Sequence, residues 1–580
     1  MKTFSALKKN LKNDFSALKN IKIALLGDTA TQFLQQAIRG MGFEHGLDLQ
    51  IWEADFDQIE RQIFDPTSDL YEYKPDVIIF FQSSHKLLGK YNKLKQEEYY
   101  TLADRQIQLI KNICAEVNSK LSAKIVFYNY PEIDDSVFGN YANSIESSFL
   151  FQIRKLNYEQ MQFAAANSNY YLVDISSIQN QLGKKFLFQT AVYINTEMVL
   201  SIDVLPYIAE KTVDLIRAFN GDFKKCLVLD LDNTLWGGII GDDGIENIQL
   251  GMLGIGKAFI EFQYWIKKLK NRGIILAVCS KNTESIAKEP FEKHPDIILH
   301  LDDIAVFVAN WDNKVDNIKH IQRILNIGFD SMVFLDDNPF ERNIVRENIP
   351  LLTVPELPED PADYLEFLYT LNLFETISYS NQDIDRTKQY QIEAERALIQ
   401  QSFLNEDEFL KSLDMISVVE SFNKFNTPRV AQLSQRSNQF NLRTIRYTEM
   451  DIEALGISKV HHTFSFTLKD KFGDNGLICA VILNKKAHDT LFIDSWFMSC
   501  RVLKRGMEGF VLNTISNYAK ENGFKYLEGE YIPTVKNEMV KDHYLNLGFN
   551  QLQKSWILDV NNYQNKECFI ETHSLTIENN

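Results

Sequence analysis

Asp230 and Asp232 stand one residue apart at the end of the apolar run Cys-Leu-Val-Leu, and Thr234 follows two places on. Carboxylates that close together disfavour each other's ionisation, so something positive is expected between them. A divalent cation with oxygen ligands is the natural candidate. Three more signals follow in order: Ser280 directly after Ile-Ile-Leu-Ala-Val-Cys, Lys314 in Asn-Trp-Asp-Asn-Lys at an expected helix start, and Asp336-Asp337 directly after Met-Val-Phe-Leu. Three of the four sit at the C-terminal ends of expected strands, where open α/β sheets place their ligands. A phosphate dianion approaches a carboxylate nucleophile only when a cation and a lysine offset the repulsion. The ordered set therefore points to phosphoryl chemistry, whereas any one of these residues alone reads as an inert, solvated group at a loop.

The elements that must position these residues form several domains, because 580 residues exceed one core. Short β-rich runs at Ile23–Leu26, Val77–Phe81, Ile125–Tyr128 and Tyr170–Ile175, separated by helical stretches such as Glu97–Val117 and Phe149–Ala166, predict a doubly wound α/β domain over 1–219. A second α/β unit, 220–358, has expected strands Leu227–Leu229, Ile274–Cys279 and Met332–Leu335, with Ile297–Leu299 and Ala305–Val308 as shorter candidates. A Pro/Glu-rich boundary follows, then a charged helical linker, 359–413. Residues 414–565 read as an α+β domain with meandering strands (Thr463–Leu468, Leu477–Leu483, Thr490–Phe497), then helix, strand, helix, strand. The tail, 566–580, is polar and expected to fray from Ile570. Phe4, Leu7, Leu11, Phe15 and Leu18 predict one helical face at the N-terminus.

Composition is that of a globular protein, 45% hydrophobic and 24% charged, with a net charge of −17 that argues against a general nucleic-acid grip. No apolar run reaches membrane-span length, and the lysine-rich N-terminus has no apolar core of a secretory signal. Six cysteines without Cys-x-x-Cys pairs read as cytoplasmic thiols, not as a disulfide framework or a zinc site. Only 45 residues separate Thr234 from Ser280 and 33 separate Ser280 from Lys314, too few for a large cap domain, so the site is expected to be open. In the C-terminal domain, Arg501-x-x-Lys504-x-Gly506 leads from a strand end into a helix N-terminus, an anion-binding arrangement. Cys500 precedes it, and the nearby Arg501 is expected to favour its thiolate, although a single cysteine is more often buried structure. His461-His462 lie on an alternating strand and read as structural.

The ordered set in the central domain resembles the haloacid dehalogenase superfamily of phosphohydrolases. That resemblance implies Asp230 as nucleophile, Asp232 as general acid/base, and Thr234, Ser280 and Lys314 as phosphate-binding residues. It implies Mg²⁺ held by Asp230, Asp232 (through its backbone carbonyl), Asp336 and Asp337. The loop at Arg501, Lys504 and Gly506 is similar to the acyl-CoA loop of GCN5-type N-acetyltransferases, with Lys504 where that family has a glycine. Leu-Leu-Gly27-Asp28-Thr29 is similar to the Gly-Asp-Ser start of SGNH hydrolases, but the only histidines before residue 220 are His45 and His85, neither near the domain's end. The N-terminal domain is therefore expected to be a non-catalytic relative used for docking or assembly.

Asn-Thr-Leu-Trp-Gly-Gly, Val-Ala-Asn-Trp-Asp-Asn-Lys, Phe-Leu-Asp-Asp-Asn-Pro-Phe-Glu-Arg, Gln-Leu-Ser-Gln-Arg-Ser-Asn-Gln-Phe-Asn and Asp-Ser-Trp-Phe-Met-Ser-Cys-Arg together resemble the FkbH-type family across about residues 220–560. The resemblance implies loading of a glyceryl or similar hydroxyacyl unit from 1,3-bisphosphoglycerate onto the phosphopantetheine arm of a separate acyl carrier protein, with loss of phosphate. On that reading Cys500 carries a transient thioester, and Arg501, Lys504 and Gly506 bind the carrier arm. The alternative is a plain phosphohydrolase whose C-terminal domain only binds a partner. The expected partners are a carrier protein and a phosphorylated small molecule, with neither nucleic acid nor membrane insertion.

Overall fold

A computed structural model describes residues 2–379, 383, 386–400, 403, 405–534 and 536–576. They form two compact units, Met1–Arg217 and Ala218–Asn580.

The first unit holds a five-stranded parallel sheet: β1 (Lys19–Gly27), β2 (Leu47–Glu53), β3 (Val77–Phe81), β4 (Lys124–Tyr128) and β5 (Tyr170–Val173), in the order β2-β1-β3-β4-β5. β3 reads Val-Ile-Ile-Phe-Phe because it is buried on both faces. β2, an edge strand of mixed polarity, carries no comparable apolar run and gives no clear signal in the sequence. The helix Phe149–Ala166 matches its expected bounds. The N-terminal helix does not: it spans only Phe4–Asn10, and Phe15 and Leu18 lie beyond it. The Asp14 carboxylate accepts from the Ser16 backbone N–H at 2.8 Å, a local alternative to helical hydrogen bonding.

The second unit contains two sheets. The first is parallel, in the order β8-β7-β6-β9, built from β6 (Cys226–Leu229), β7 (Ile275–Ser280), β8 (Ile304–Ala309) and β9 (Met332–Leu335). The strand expected at Ile297–Leu299 is absent: the amides of Ile298 and Leu299 donate to the buried Gln263 side chain at 3.0 and 3.3 Å in place of a ladder. No cap domain is inserted between β6 and β7; that stretch holds the short helix Ile240–Asp243 and the helix Ile255–Asn271. The core of this sheet extends past the expected boundary, since Tyr364, Leu368 and Phe374 belong to it. In the linker the structure has helices Arg386–Gln400 and Glu406–Lys411; residues 380–382, 384–385, 401–402 and 404 lie outside the described residues.

The second sheet has eight strands: β10 (Met415–Glu420), β11 (His461–Asp470), β12 (Gly473–Ala487), β13 (Thr490–Met498), β14 (Tyr526–Glu530), β15 (Asn550–Leu552), β16 (Ser555–Asp559) and β17 (Ile570–Thr576). Their order is β15-β16-β14-β13-β12-β11-β10-β17. The segment expected to fray from Ile570 instead forms β17, pairing in parallel with β10, which would otherwise be an open edge. Residues 577–580 lie outside the described residues. Among the described residues no helix is long and apolar enough to cross a membrane.

Candidate functional site

The chemistry-bearing residues of the central domain converge at the C-terminal edge of its parallel sheet. β6 ends at Leu229 and β9 at Leu335, and these strands pair side by side, so Asp230 and Asp336 emerge as neighbours. The Asp230 N–H donates to the Leu335 carbonyl at 3.0 Å, fixing the register. Asn233, with φ of 54°, turns the chain back after β6. Thr234 is fully buried; its hydroxyl accepts from the Asp337 backbone N–H at 3.2 Å and stands 3.4 Å from the Asp337 carboxylate. Lys314 opens the helix Lys314–Leu325, whose N-cap Asn313 accepts from the Asp316 N–H at 2.8 Å. Its ammonium lies 2.8 Å from Asp230 Oδ2 and 2.6 Å from Asp336 Oδ2, with the lysine only 4% exposed. Those two carboxylates hold Lys314 charged by raising its pKa against the opposing effect of burial. Ser280 is buried at the end of β7.

Carboxylate oxygens of Asp230, Asp336 and Asp337 lie within 4.8 Å of one another. Asp230 Oδ1 is buried with no hydrogen-bond partner. Burial first, and then the charge of Asp230, push the Asp336 carboxyl up to about 7 and that of Asp337 up to about 6. An orphaned carboxylate oxygen facing two carboxyls that resist ionisation fits a hard divalent cation.

The Asp232 side chain is absent from that cluster. It accepts from the Trp236 indole N–H at 2.9 Å, the Ile240 N–H at 3.0 Å and the Asn282 amide at 2.9 Å. As a metal ligand Asp232 is therefore limited to its backbone carbonyl. Its carboxyl, raised by burial, is instead held rigidly where a proton can be stored. Sequence reasoning missed the residues that support this constellation. Asn282 and Trp236 orient Asp232, and the buried Arg342 donates to the carbonyls of Asp336 at 2.8 Å and Asp337 at 2.6 Å. The Asn-Pro-Phe-Glu-Arg run after Asp337 was a signal for Arg342. Asn282 had none beyond its place two residues after Ser280. The segments after all four strands carry exposed apolar side chains, Leu253 and Trp311 in loops and Ile286 and Phe340 in the first turns of the following helices.

The C-terminal residues gather elsewhere. Cys500 and Arg501 line a cavity with Lys225, Asp330 and Ser331. Lys225 and Ser331 immediately precede β6 and β9, so this cavity lies at the opposite edge of the parallel sheet from Asp230. From Lys225 to Asp230 a strand advances roughly 16 Å. Lys504 and Gly506 do not line the cavity. Both have left-handed backbones, φ 63° and 76°, in the turn before the helix Met507–Glu521. Burial raises the Glu508 carboxyl, against hydrogen bonds from the backbone amides of Glu508 and Lys504, so this turn already faces a carboxyl group of its own chain. β13 pairs with β14 only over Thr490–Ile493, and beyond that point the chain's own residues 440–442 fill the gap. Leu442 N–H donates to the Trp496 carbonyl at 3.2 Å, Met498 N–H to Phe440 at 3.0 Å and Ile532 N–H to Leu442 at 2.9 Å. An extended ligand therefore finds no open strand edge there. Arg505 belongs to a structural network: it reaches Asp470 at 3.1 Å, and Arg396 reaches the same carboxylate at 2.8 Å. Asp470→Ala leaves two buried guanidiniums without this partner and is expected to destabilise the chain by on the order of 3–5 kcal/mol, read by denaturant titration.

In the first unit, Thr29 is fully buried with an unpartnered hydroxyl. Burial drives the Asp28 carboxyl up to about 7. His85 packs against Phe188 and Tyr193, with burial pulling it down to about 4, and His45 lies 3.3 Å from Glu210.

Residues 22–217 match the family model described as FkbH, N-terminal domain. A crystal structure of the N-terminal part of a Bacteroides fragilis protein, containing a phosphatase domain and complexed with Mg, is 57% identical, with a TM-score of 0.63; the match covers 65% of this chain and 100% of that one. The chain belongs to the FkbH-type family. Other solved structures are similar to about a quarter of this FkbH-type chain. The ribosomal-protein-S18-alanine N-acetyltransferase of Escherichia coli is 13% identical, with a TM-score of 0.21, covering 25% of this chain and 94% of its own. The spermidine N-acetyltransferase of Vibrio cholerae, in complex with CoA and spermine, is 12% identical with the same score, covering 25% and 96%. No curated protein matches the chain.

Proposed function

We propose that this FkbH-type chain is a Mg²⁺-dependent phosphoryl-handling enzyme. On this reading it loads a glyceryl or similar hydroxyacyl unit from 1,3-bisphosphoglycerate onto the thiol of a separate acyl carrier protein, with loss of phosphate. The observation that carries the phosphoryl part is the grouping of Asp230, Asp336, Asp337 and Lys314 at one sheet edge, with an orphaned oxygen on Asp230. Asp230 attacks the phosphorus, Lys314 offsets the charge on the phosphoryl oxygens, and Thr234 and Ser280 border them. Asp232 protonates the leaving oxygen and then takes a proton from the attacking water. Asp230, Asp336, Asp337 and the Asp232 carbonyl would hold Mg²⁺, which supplies Lewis-acid stabilisation of the phosphoryl oxygens. The loading part is supported by Cys500, which lines a cavity with Arg501 at the other edge of the sheet. The SGNH-like first unit serves docking or assembly.

The test is the intact mass of a carrier protein incubated with the chain, Mg²⁺ and 1,3-bisphosphoglycerate. Gain of a glyceryl group is expected; free phosphate with an unmodified carrier would leave only a phosphohydrolase.

The carboxyl shifts give a pH signature. A carboxyl whose pKa rises on folding supports the folded state below its unfolded value and withdraws that support as pH climbs through the folded value. Without metal, Asp336 and Asp337 therefore weaken the fold between their ordinary value of 3.8 and about 7. Mg²⁺ needs the ionised carboxylates. It is expected to raise Tm clearly near about pH 8 and hardly near about pH 5. Thermal unfolding with Mg²⁺ or EDTA checks this, and equal shifts at both pH values would contradict it.

A further inference from the structure

In a chain of net charge −17, one cavity has the opposite sign. It measures about 400 Å³, and among the described residues six of its wall are cationic, Lys225, Arg386, Arg429, Arg436, Arg501 and Lys536, against one carboxylate, Asp330. Part of this charge is matched. Asp383 pairs with Arg386 at 2.7 Å and with Arg436, and Lys536 lies 3.2 Å from Asp222 and 3.1 Å from Asp330. Among the described residues Lys225, Arg429 and Arg501 make hydrogen bonds only to neutral groups, while Asp330 acts on Lys225 and Asp383 on Arg429 through space. Lys225 donates to the Arg436 carbonyl at 2.8 Å, Arg429 to the Gln432 side chain, and Arg501 to the Gln389 and Ser499 side chains. Arg429 Nε and Gln439 Oε1, both from wall residues, are buried without any hydrogen-bond partner. Burial pulls Lys225 down to about 8 and holds Arg386 and Arg429 below the ordinary guanidinium range. Buried cations without a counter-charge are costly unless an anion completes them.

We propose that this cavity is a second phosphate site, separate from the Asp230 centre, in which Arg429, Arg501 and Lys225 bind a phosphate monoester or acyl phosphate beside Cys500. Its volume suits a small ligand. Three cations with no carboxylate hydrogen-bonded to them among the described residues match a dianion. The phosphodiester of a carrier arm, with a single charge, would leave most of that surplus unmet. The guanidiniums present planar forks suited to phosphate oxygens. The proposal rests on the loading reaction only for which acyl phosphate arrives, since binding itself requires no loading.

The experiment is alkylation of the full chain by iodoacetamide, read at the Cys500 peptide by mass spectrometry. 3-Phosphoglycerate is expected to slow alkylation, and dimethyl phosphate, a diester, is not. Arg429→Gln is expected to raise the half-protecting concentration by about tenfold or more, Arg429→Lys by less, and Asp230→Asn to leave it unchanged. Phosphate release by the Arg429 variants reports that they are folded. Should the thiol react too slowly to follow, calorimetric titration of the Asp230→Asn chain with 3-phosphoglycerate, with and without Arg429→Gln, reads the same site. Binding that is absent, indifferent to Arg429, or equally strong for the diester would overturn the proposal. Carrier loading that fails while protection persists would count against the loading reaction and not against this site.

Discussion

Asp230→Asn is expected to lower phosphate release by on the order of 10⁴-fold, the largest single effect of any substitution in the chain. The change is nearly isosteric. It keeps the N–H bond to Leu335 and the position beside Lys314, and removes the charge and the oxygen proposed to attack phosphorus. KM for a phosphate ester should change far less than kcat, because Lys314, Thr234 and Ser280 remain. The Mg²⁺-induced rise in Tm should shrink as well, since one of the three clustered carboxylates is gone. Steady-state phosphate release, with the Tm shift as a second reading, checks both. Activity within about tenfold of wild type would mean that another group attacks phosphorus.

Cys500→Ala is expected to abolish carrier loading while leaving phosphate release from a simple ester within about twofold, the mirror image of the first result. The separation follows from geometry. Cys500 faces the edge of the parallel sheet from which β6 and β9 start, and Asp230 stands at the edge where they end, roughly 16 Å along the strand. A small acyl unit does not touch both at once, so the two steps are expected to be separable by mutation. Retained loading in Cys500→Ala, measured by carrier mass, would remove Cys500 from the reaction.

The convergence of Asp230, Lys314 and Asp336 was legible in the sequence because Asp230 and Asp336 follow apolar strands. Asp230 and Asp336 each directly follow a four-residue buried strand, and the pairing of β6 with β9 brings them together without further information. Asn282 and Arg342 were not legible, because their roles depend on where side chains point across the fold. The cationic cavity was invisible for a similar reason. Lys225, Arg386, Arg429 and Arg501 come from four separate segments, and in a chain with excess acid none stands out alone. Of the fold, β3, β9 and the helix Phe149–Ala166 were readable from burial on both faces or helical periodicity. The edge strand β2 and the terminal strand β17 were not, because edge strands tolerate polar residues and are specified by their neighbour.

That Asp230 carries the phosphoryl group is the central claim. Rapid acid quench of the chain turning over a phosphate ester with Mg²⁺, followed by peptide mass spectrometry, tests it most directly. One added phosphoryl group is expected on the peptide containing Asp230, lost in Asp230→Asn. A phosphoryl group found on a different residue, or turnover of undiminished rate in the variant, would contradict it.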